Sequence, residues 1–124
     1  MSLKPSGEMY LETIYVLSSK KESVRSIDIA NSMKFSKPSV SRAVSGLKKD
    51  NYIAIDDNGR ITFTDKGLTL AQKIYERHTV LSQVLIRLGV DEQTALDDAC
   101  QIEHVISDAT FEALKKHIEQ YKTM

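Results

Sequence analysis

Residues 24–50 read VRSIDIANSMKFSKPSVSRAVSGLKKD and predict two short helices joined by a tight turn. Apolar side chains recur at helical spacing from Val24 to Met33. A second helix is expected from Ser36 to about Asp50, because serine is a good N-cap and proline is tolerated in a first turn. The inward-facing positions of the two helices are Ile27, Ile29, Ala30, Met33, Val40, Val44 and Leu47. The pattern therefore predicts a helix-turn-helix.

A β-hairpin is predicted immediately after these two helices. Residues 52–55 and 60–64 are β-prone, and the turn-forming Asp56-Asp57-Asn58-Gly59 lies between them. One helix is expected before the pair, and three are expected after the hairpin. These helices cover residues 7–19, about 65–88 (capped by Thr64 and ended by Gly89), about 91–106 and about 108–121.

This order of elements predicts a mainly α fold, with a winged helix-turn-helix at residues 1–63 and a helical domain at residues 64–124. In such a fold the second helix of the turn enters the major groove of DNA, and the hairpin lies over the backbone or minor groove. The guanidinium of Arg42 suits guanine, whereas Lys48 and Lys49 suit phosphates. The candidate DNA-binding residues are Arg25, Ser36, Lys37, Pro38, Ser39, Ser41, Arg42, Ser45, Lys48, Lys49 and Arg60.

Charge is unevenly distributed although the net charge is zero. Residues 20–50 carry eight basic and three acidic side chains, a net +5, whereas residues 61–124 carry seven and ten, a net −3. This asymmetry indicates a basic binding face on a neutral-to-acidic body. A single cysteine excludes an internal disulfide, and the chain shows neither a bilayer-spanning apolar run nor a signal peptide. A cytoplasmic protein with no membrane association is expected.

A second kind of site is indicated by Cys100, Glu103 and His104. On a helix these positions share one face, so a thiolate, a carboxylate and an imidazole would project together. Such a set suits a divalent transition metal better than Ca²⁺ or Mg²⁺. The alternative is a core cysteine beside two surface polar residues. Further candidate ligands are Met9 and Glu12, one turn apart on the first helix, and His78 on the long helix.

Five segments spread over nearly the whole chain carry a family resemblance. They are Glu8–Tyr15, Ser36–Ser41, Thr64–Gly67, Arg77-His78 and Asp98–Asp108. The chain resembles the diphtheria toxin repressor family of metal-dependent transcription regulators, which includes the manganese transport regulators. Longer members carry an additional SH3-like domain, so the chain resembles the short form without it.

The resemblance implies a metal site. Iron-responsive members use a methionine, a cysteine, a glutamate and a histidine, which match Met9, Cys100, Glu103 and His104. Manganese-selective members have aspartate and glutamate at the first two places, and a further glutamate that matches Glu12. Since thioether and thiolate favour softer ions, Fe²⁺ is expected, with Mn²⁺ as the alternative and Zn²⁺, Co²⁺ or Ni²⁺ as substitutes in vitro.

The ancillary site of iron-type members uses two histidines and a glutamate. Only His78 matches it here, with Ser82 and Leu96 at the other two places. A second site would then use His78 and Glu12, sharing Glu103, or it would be weak.

The resemblance further implies a homodimer that binds a pseudo-palindromic operator in double-stranded DNA and represses metal-uptake genes when metal is plentiful. Residues 64–124 are then a dimerisation and metal-binding domain, and no organic cofactor is implied. The candidate interface residues are Val80, Leu81, Val84, Leu85, Val105, Ile106, Phe111 and Leu114.

Three rival functions make different demands on the sequence. A winged-helix regulator could respond instead to a small molecule or to oxidation of Cys100, binding DNA without added metal. A protein-interaction module would use the same fold with a solvated polar face. An enzyme is not expected, because the chain has no His-Glu-x-x-His run, no nucleophile motif and no Gly-rich phosphate loop.

Overall fold

The computed structural model describes residues 5–122 and confirms the mainly α fold class. The described elements are α1 (Pro5–Lys20), α2 (Ser26–Met33), α3 (Lys37–Lys49), β1 (Ile53–Ile55), β2 (Ile61–Phe63), α4 (Asp65–Arg87), α5 (Glu92–Ile102) and α6 (Asp108–Lys122). The chain divides into two compact units, Met1–Gln72 (unit 1) and Lys73–Met124 (unit 2), so the boundary lies within α4. Within residues 5–122, every helix is too short or too polar to cross a membrane.

Unit 1 is a helix-turn-helix built around one apolar core. The predicted cap is confirmed, since the Ser36 hydroxyl accepts from the Ser39 N–H at 3.3 Å at the start of α3. Lys34 ends α2 in the left-handed conformation, at φ 58°, which turns the chain toward α3. The core side chains of unit 1 are Tyr10, Leu11, Ile14, Val24, Ile29, Ala30, Val40, Val44, Leu47, Tyr52, Ile53, Ile61 and Ala71.

The predicted hairpin is present as an antiparallel pair of strands, with Ala54 opposite Thr62. Its turn is closed by the Asp56 carboxylate, which accepts from the N–H groups of Asn58 and Arg60, each at 2.9 Å. These bonds, the Arg60 one foremost, hold the pKa of Asp56 below its ordinary value. We refer to residues 53–63 as the wing.

Two details of the predicted α2 are wrong. Val24 does not begin the helix, because it forms a β-bridge with the wing, where the Ile61 N–H donates to the Val24 carbonyl at 2.7 Å. The helix begins at Ser26 instead. Ile27 was expected to face inward, but it is 42% exposed.

Unit 2 contains the second part of α4, together with α5 and α6. Gly89 ends α4 with φ 104° as predicted, and Asp91 caps α5 by accepting from the Thr94 N–H at 3.0 Å. The cap of α6 is Ser107, whose hydroxyl accepts from the Thr110 N–H. Three candidate interface residues are instead buried within the chain itself, namely Val80, Leu81 and Phe111.

Candidate metal centre and nucleic-acid interface

Unit 2 brings three of the predicted ligands together. His78 lies on α4, Cys100 lies on α5, and Glu103 follows the last residue of α5. The Nδ1 atom of His78 is 2.9 Å from Oε2 of Glu103 and 3.8 Å from Sγ of Cys100. One donor atom of each residue lies within 4.8 Å of the other two. Imidazole, thiolate and carboxylate therefore meet around one small volume.

Glu103 is the centre of this cluster. Its side chain is fully buried, and its other oxygen, Oε1, is 3.2 Å from Nε2 of His104. Each carboxylate oxygen therefore faces a different imidazole, that of His78 or that of His104. A buried carboxylate is costly unless a cation or strong donors compensate its charge. Two imidazolium groups or a bound cation would provide that compensation.

The donor set fits a divalent transition ion. Thiolate and imidazole are the ligands that Fe²⁺, Co²⁺, Ni²⁺ and Zn²⁺ share, and the carboxylate adds the negative charge that a divalent cation requires. Cys100 and His78 are only half-buried. Met9 and Glu12 are half-buried on α1 in unit 1. Their role as ligands stays a prediction.

The predicted extent of the helix that carries these ligands is wrong. We predicted that Cys100, Glu103 and His104 project from one helix reaching about residue 106, but α5 ends at Ile102. Glu103 is the C-cap residue, and His104 lies in the turn that follows. Glu103 still has helical backbone angles and its N–H donates to the carbonyl of Ala99, so Cys100 and Glu103 keep the predicted spacing on one side. His78 joins them from α4.

Arg77 is the residue of this region whose role sequence reasoning missed. Its guanidinium donates to the carbonyl oxygens of Glu103 and Ile106 and forms an ion pair with Asp108. The available signal was a basic residue beside a predicted ligand, Arg77-His78. Because its partners lie 26 to 31 residues away in the chain, that signal could not identify them.

The candidate DNA-binding residues all belong to unit 1. Those on α3 are Lys37, Pro38, Ser39, Ser41, Arg42, Ser45, Lys48 and Lys49, and all are exposed except the half-buried Ser39. Their basic groups stand along a helix whose opposite side is apolar and buried. The structure therefore presents a basic, hydroxyl-bearing helix face to solvent.

The other three candidates have additional contacts within unit 1. Ser36 is the N-cap of α3. The Nε atom of Arg25 donates to the carbonyl of Asn58 at 3.1 Å, so this side chain joins the start of α2 to the wing. Arg60 forms an ion pair with Asp56 at 3.2 Å inside the wing. Both arginines stay exposed, and their contacts fix where their charge is presented.

Two family models match consecutive parts of the chain. Residues 2–59 match the N-terminal DNA binding domain of iron dependent repressors, and residues 64–124 match the metal binding and dimerisation domain of iron dependent repressors.

The chain is similar to individual proteins over most of its length. An uncharacterised HTH-type transcriptional regulator of Methanocaldococcus jannaschii is 31% identical over 97% of this chain and 98% of its own length. The regulator MntR of Lysinibacillus sphaericus is 37% identical over 83% of this chain and 74% of its own length. The solved structure of the manganese regulator SloR superimposes with a TM-score of 0.82 at 30% identity. That match covers 96% of this chain and 55% of the SloR chain.

Proposed function

This chain belongs to the diphtheria toxin repressor family of metal-dependent transcription regulators, and we propose that it is a repressor whose operator binding requires metal at the Glu103 cluster. The observation that carries the proposal is the buried Glu103 carboxylate, which lies between two imidazoles and close to the Cys100 thiol. A bound cation would compensate the charge of this buried carboxylate. The exposed basic face of α3 supplies the surface that reads the operator.

The proposed ligands fall into two groups. His78, Cys100, Glu103 and His104 belong to unit 2, and their clustering supports their assignment. Met9 and Glu12 belong to unit 1, and their assignment rests on the motif Glu8-Met9-Tyr10-Leu11-Glu12 alone. Ligands drawn from both units would couple metal occupancy to operator affinity, with a coupling free energy of about 1–3 kcal/mol in typical cases. The ion itself supplies positive charge and a preferred ligand geometry.

We propose Fe²⁺ as the physiological metal. Cys100 and Met9 offer sulfur donors, which favour Fe²⁺ over the harder Mn²⁺. The similar proteins include MntR regulators and the manganese regulator SloR. In this chain, Glu12 is the proposed ligand that favours Mn²⁺, because its donors are hard oxygens. The Fe²⁺ proposal therefore depends on the thiolate of Cys100, which lies 3.8 Å from the ring of His78.

We further propose that the protein acts as a homodimer on a pseudo-palindromic operator, in the cytoplasm. The match of residues 64–124 to a metal binding and dimerisation domain supports this assembly. Large apolar side chains exposed on unit 2 offer surface for it. Among the described residues these are Tyr75, Ile86, Leu88 and Val105. A two-fold dimer presents two copies of α3, one to each half-site.

The function is tested by replacing His104 with glutamine. This change removes the imidazole beside Oε1 of Glu103 without adding charge, and we expect metal-stimulated operator binding to fall at least tenfold in a gel-shift assay. His117→Gln is the matched control, because His117 is an exposed histidine on α6 and its loss should leave the response unchanged. Operator binding that is independent of metal in the wild type, and is lost on peroxide treatment, would favour a regulator that senses oxidation of Cys100.

The metal is tested by composition and by one substitution. After anaerobic purification with reduced thiols, we expect iron to be the principal bound metal by elemental analysis. Cys100→Glu should shift the preference toward Mn²⁺, because it exchanges a soft sulfur donor for a hard oxygen donor. A wild-type protein that retains manganese and responds equally to both ions would contradict the iron assignment while leaving the regulator intact.

A further inference from the structure

The turn that carries Glu103 and His104 has carbonyl groups that lie beyond the last residue of α5. Helix α5 ends at Ile102, and the N–H groups of Val105 and Ile106 both donate to the Ile102 carbonyl. The carbonyls at the end of a helix have no partner within the helix and need donors from elsewhere. Whatever supplies those donors determines where the turn, and therefore its two side chains, is placed.

Arg77 of α4 supplies donors to two carbonyls of this turn, those of Glu103 and Ile106. One nitrogen of its guanidinium, Nη1, donates to the carbonyl of Glu103 at 3.3 Å and to that of Ile106 at 3.0 Å. The other, Nη2, forms an ion pair with Asp108 at the start of α6. The side chain is only 11% exposed and lies over the ring of Phe111, with 5.6 Å between the guanidinium carbon and the ring centroid. The guanidinium presents five N–H donors in a rigid planar fork, whereas a lysine offers three donors at one point on a flexible chain.

The neighbour of Arg77 in the chain is the proposed ligand His78. The same turn of α4 therefore carries the proposed ligand His78 and, through Arg77, a hydrogen bond to the backbone of Glu103. The Oε2 atom of Glu103 lies 2.9 Å from Nδ1 of His78. We propose that Arg77 is a positioning residue that sets the metal affinity and ligand geometry of the Glu103 cluster. This inference rests on the proposed metal-dependent function. It assigns Arg77 no direct contact with the metal.

The contacts of Arg77 separate this role from a simple ion pair. Lys73, one turn earlier on α4, also pairs with Asp108, at 3.0 Å, and it is the main cause of the lowered pKa of that carboxyl. Lys73 thus shares the ion-pair partner of Arg77. The two carbonyl bonds to Glu103 and Ile106 distinguish Arg77 from it. A substitution at Lys73 therefore tests an ion pair with Asp108 alone. A substitution at Arg77 also removes the hydrogen bonds to the carbonyls of Glu103 and Ile106.

The experiment titrates Co²⁺ into the full chain and records the visible d–d bands and the thiolate-to-Co²⁺ charge-transfer band. For Arg77→Gln we expect a Kd for Co²⁺ that is about 10 to 100 times higher than that of the wild type, the range for groups that orient metal ligands. We also expect shifted d–d bands, because the ligands are less well ordered. Arg77→Lys should recover part of the affinity, and Lys73→Ala should match the wild type in both readouts.

Three outcomes would overturn the inference. The first is an unchanged Kd and spectrum in Arg77→Gln. The second is an effect of Lys73→Ala equal to that of Arg77→Gln. The third is a loss of affinity in Arg77→Gln that the unfolded fraction explains fully, with an unchanged spectrum of the folded fraction. If Arg77→Gln does not fold by circular dichroism, Arg77→Lys decides on the same criteria. If the wild type itself binds no Co²⁺, the proposed metal-dependent function fails. A wild type that binds Co²⁺ no better than Arg77→Gln overturns only the role of Arg77.

Discussion

At the scale of single residues, Gly67 is fixed by a close approach of backbone. It lies in the first turn of α4, where a Cβ atom would be 1.8 Å from the carbonyl oxygen of Tyr52. That carbonyl also accepts the N–H of Thr64, the residue that caps α4 through a bond from the Gly67 N–H at 3.1 Å. The glycine thus allows the backbone at Tyr52, just after the helix-turn-helix, to lie directly against the first turn of α4.

We predict that Gly67→Ala lowers the free energy of unfolding by about 3 kcal/mol, because a backbone oxygen cannot move aside as a flexible side chain can. The measurement is urea unfolding followed by circular dichroism. Gly46→Ala on α3 is the matched control, since its Cβ would meet nothing within 4 Å and should raise the free energy of unfolding by about 0.5–1 kcal/mol. Equal effects of the two substitutions would contradict the close approach at Gly67.

The ligand types were also visible at this scale, but their arrangement was not. The sequence contains the cysteine, glutamate and histidines in a recognisable order, so their chemistry could be predicted from residue identity. That Glu103 is the fully buried member, facing His78 with one oxygen and His104 with the other, depends on the packing of α4 against the following turn. Spacing along the chain carries no information on that burial.

At the scale of elements, the predictions succeeded where the determining contacts are local. The start of α3 is set by the Ser36 hydroxyl bonding to the Ser39 N–H, three residues away, and the wing turn is set by Asp56 and its near neighbours. Both interactions join residues that are close in the sequence, so both can be predicted from it. Helix α3 and the strands of the hairpin were accordingly predicted to within one or two residues.

The end of α5 was missed because distant contacts determine it. Ile102, Val105 and Ile106 continue an apolar helical pattern, so local reasoning extends the helix to about residue 106. In the structure α5 ends at Ile102, and the carbonyls of Glu103 and Ile106 accept from Arg77, which lies 26 and 29 residues away in the sequence. Val24 shows the same limit, since its bridge to Ile61 spans 37 residues of sequence.

At the scale of the whole molecule, the charge distribution and the proposed two-fold assembly both determine how operator binding depends on salt concentration. The basic residues 20–50, with a net +5, form the helix-turn-helix, and the acidic excess lies after the wing. Each phosphate neutralised by a protein cation releases counterions, and the slope of log K against log salt falls by about 0.9 for each one. In a two-fold dimer every such contact occurs twice.

We therefore predict that Lys49→Ala reduces the magnitude of the salt slope for operator binding by about 2, twice the value for one lost phosphate contact. Lys49 is suited to this test because it is exposed near the end of α3. Arg42→Ala should instead lower the ratio of specific to random-sequence affinity, because it removes a base contact, which is typically worth about 1–3 kcal/mol. Lys116→Ala, an exposed lysine of α6, is the control and should change neither quantity. A slope change of about 1 for Lys49→Ala would indicate that one copy of the chain contacts the operator, and no change would remove Lys49 from the phosphate contacts.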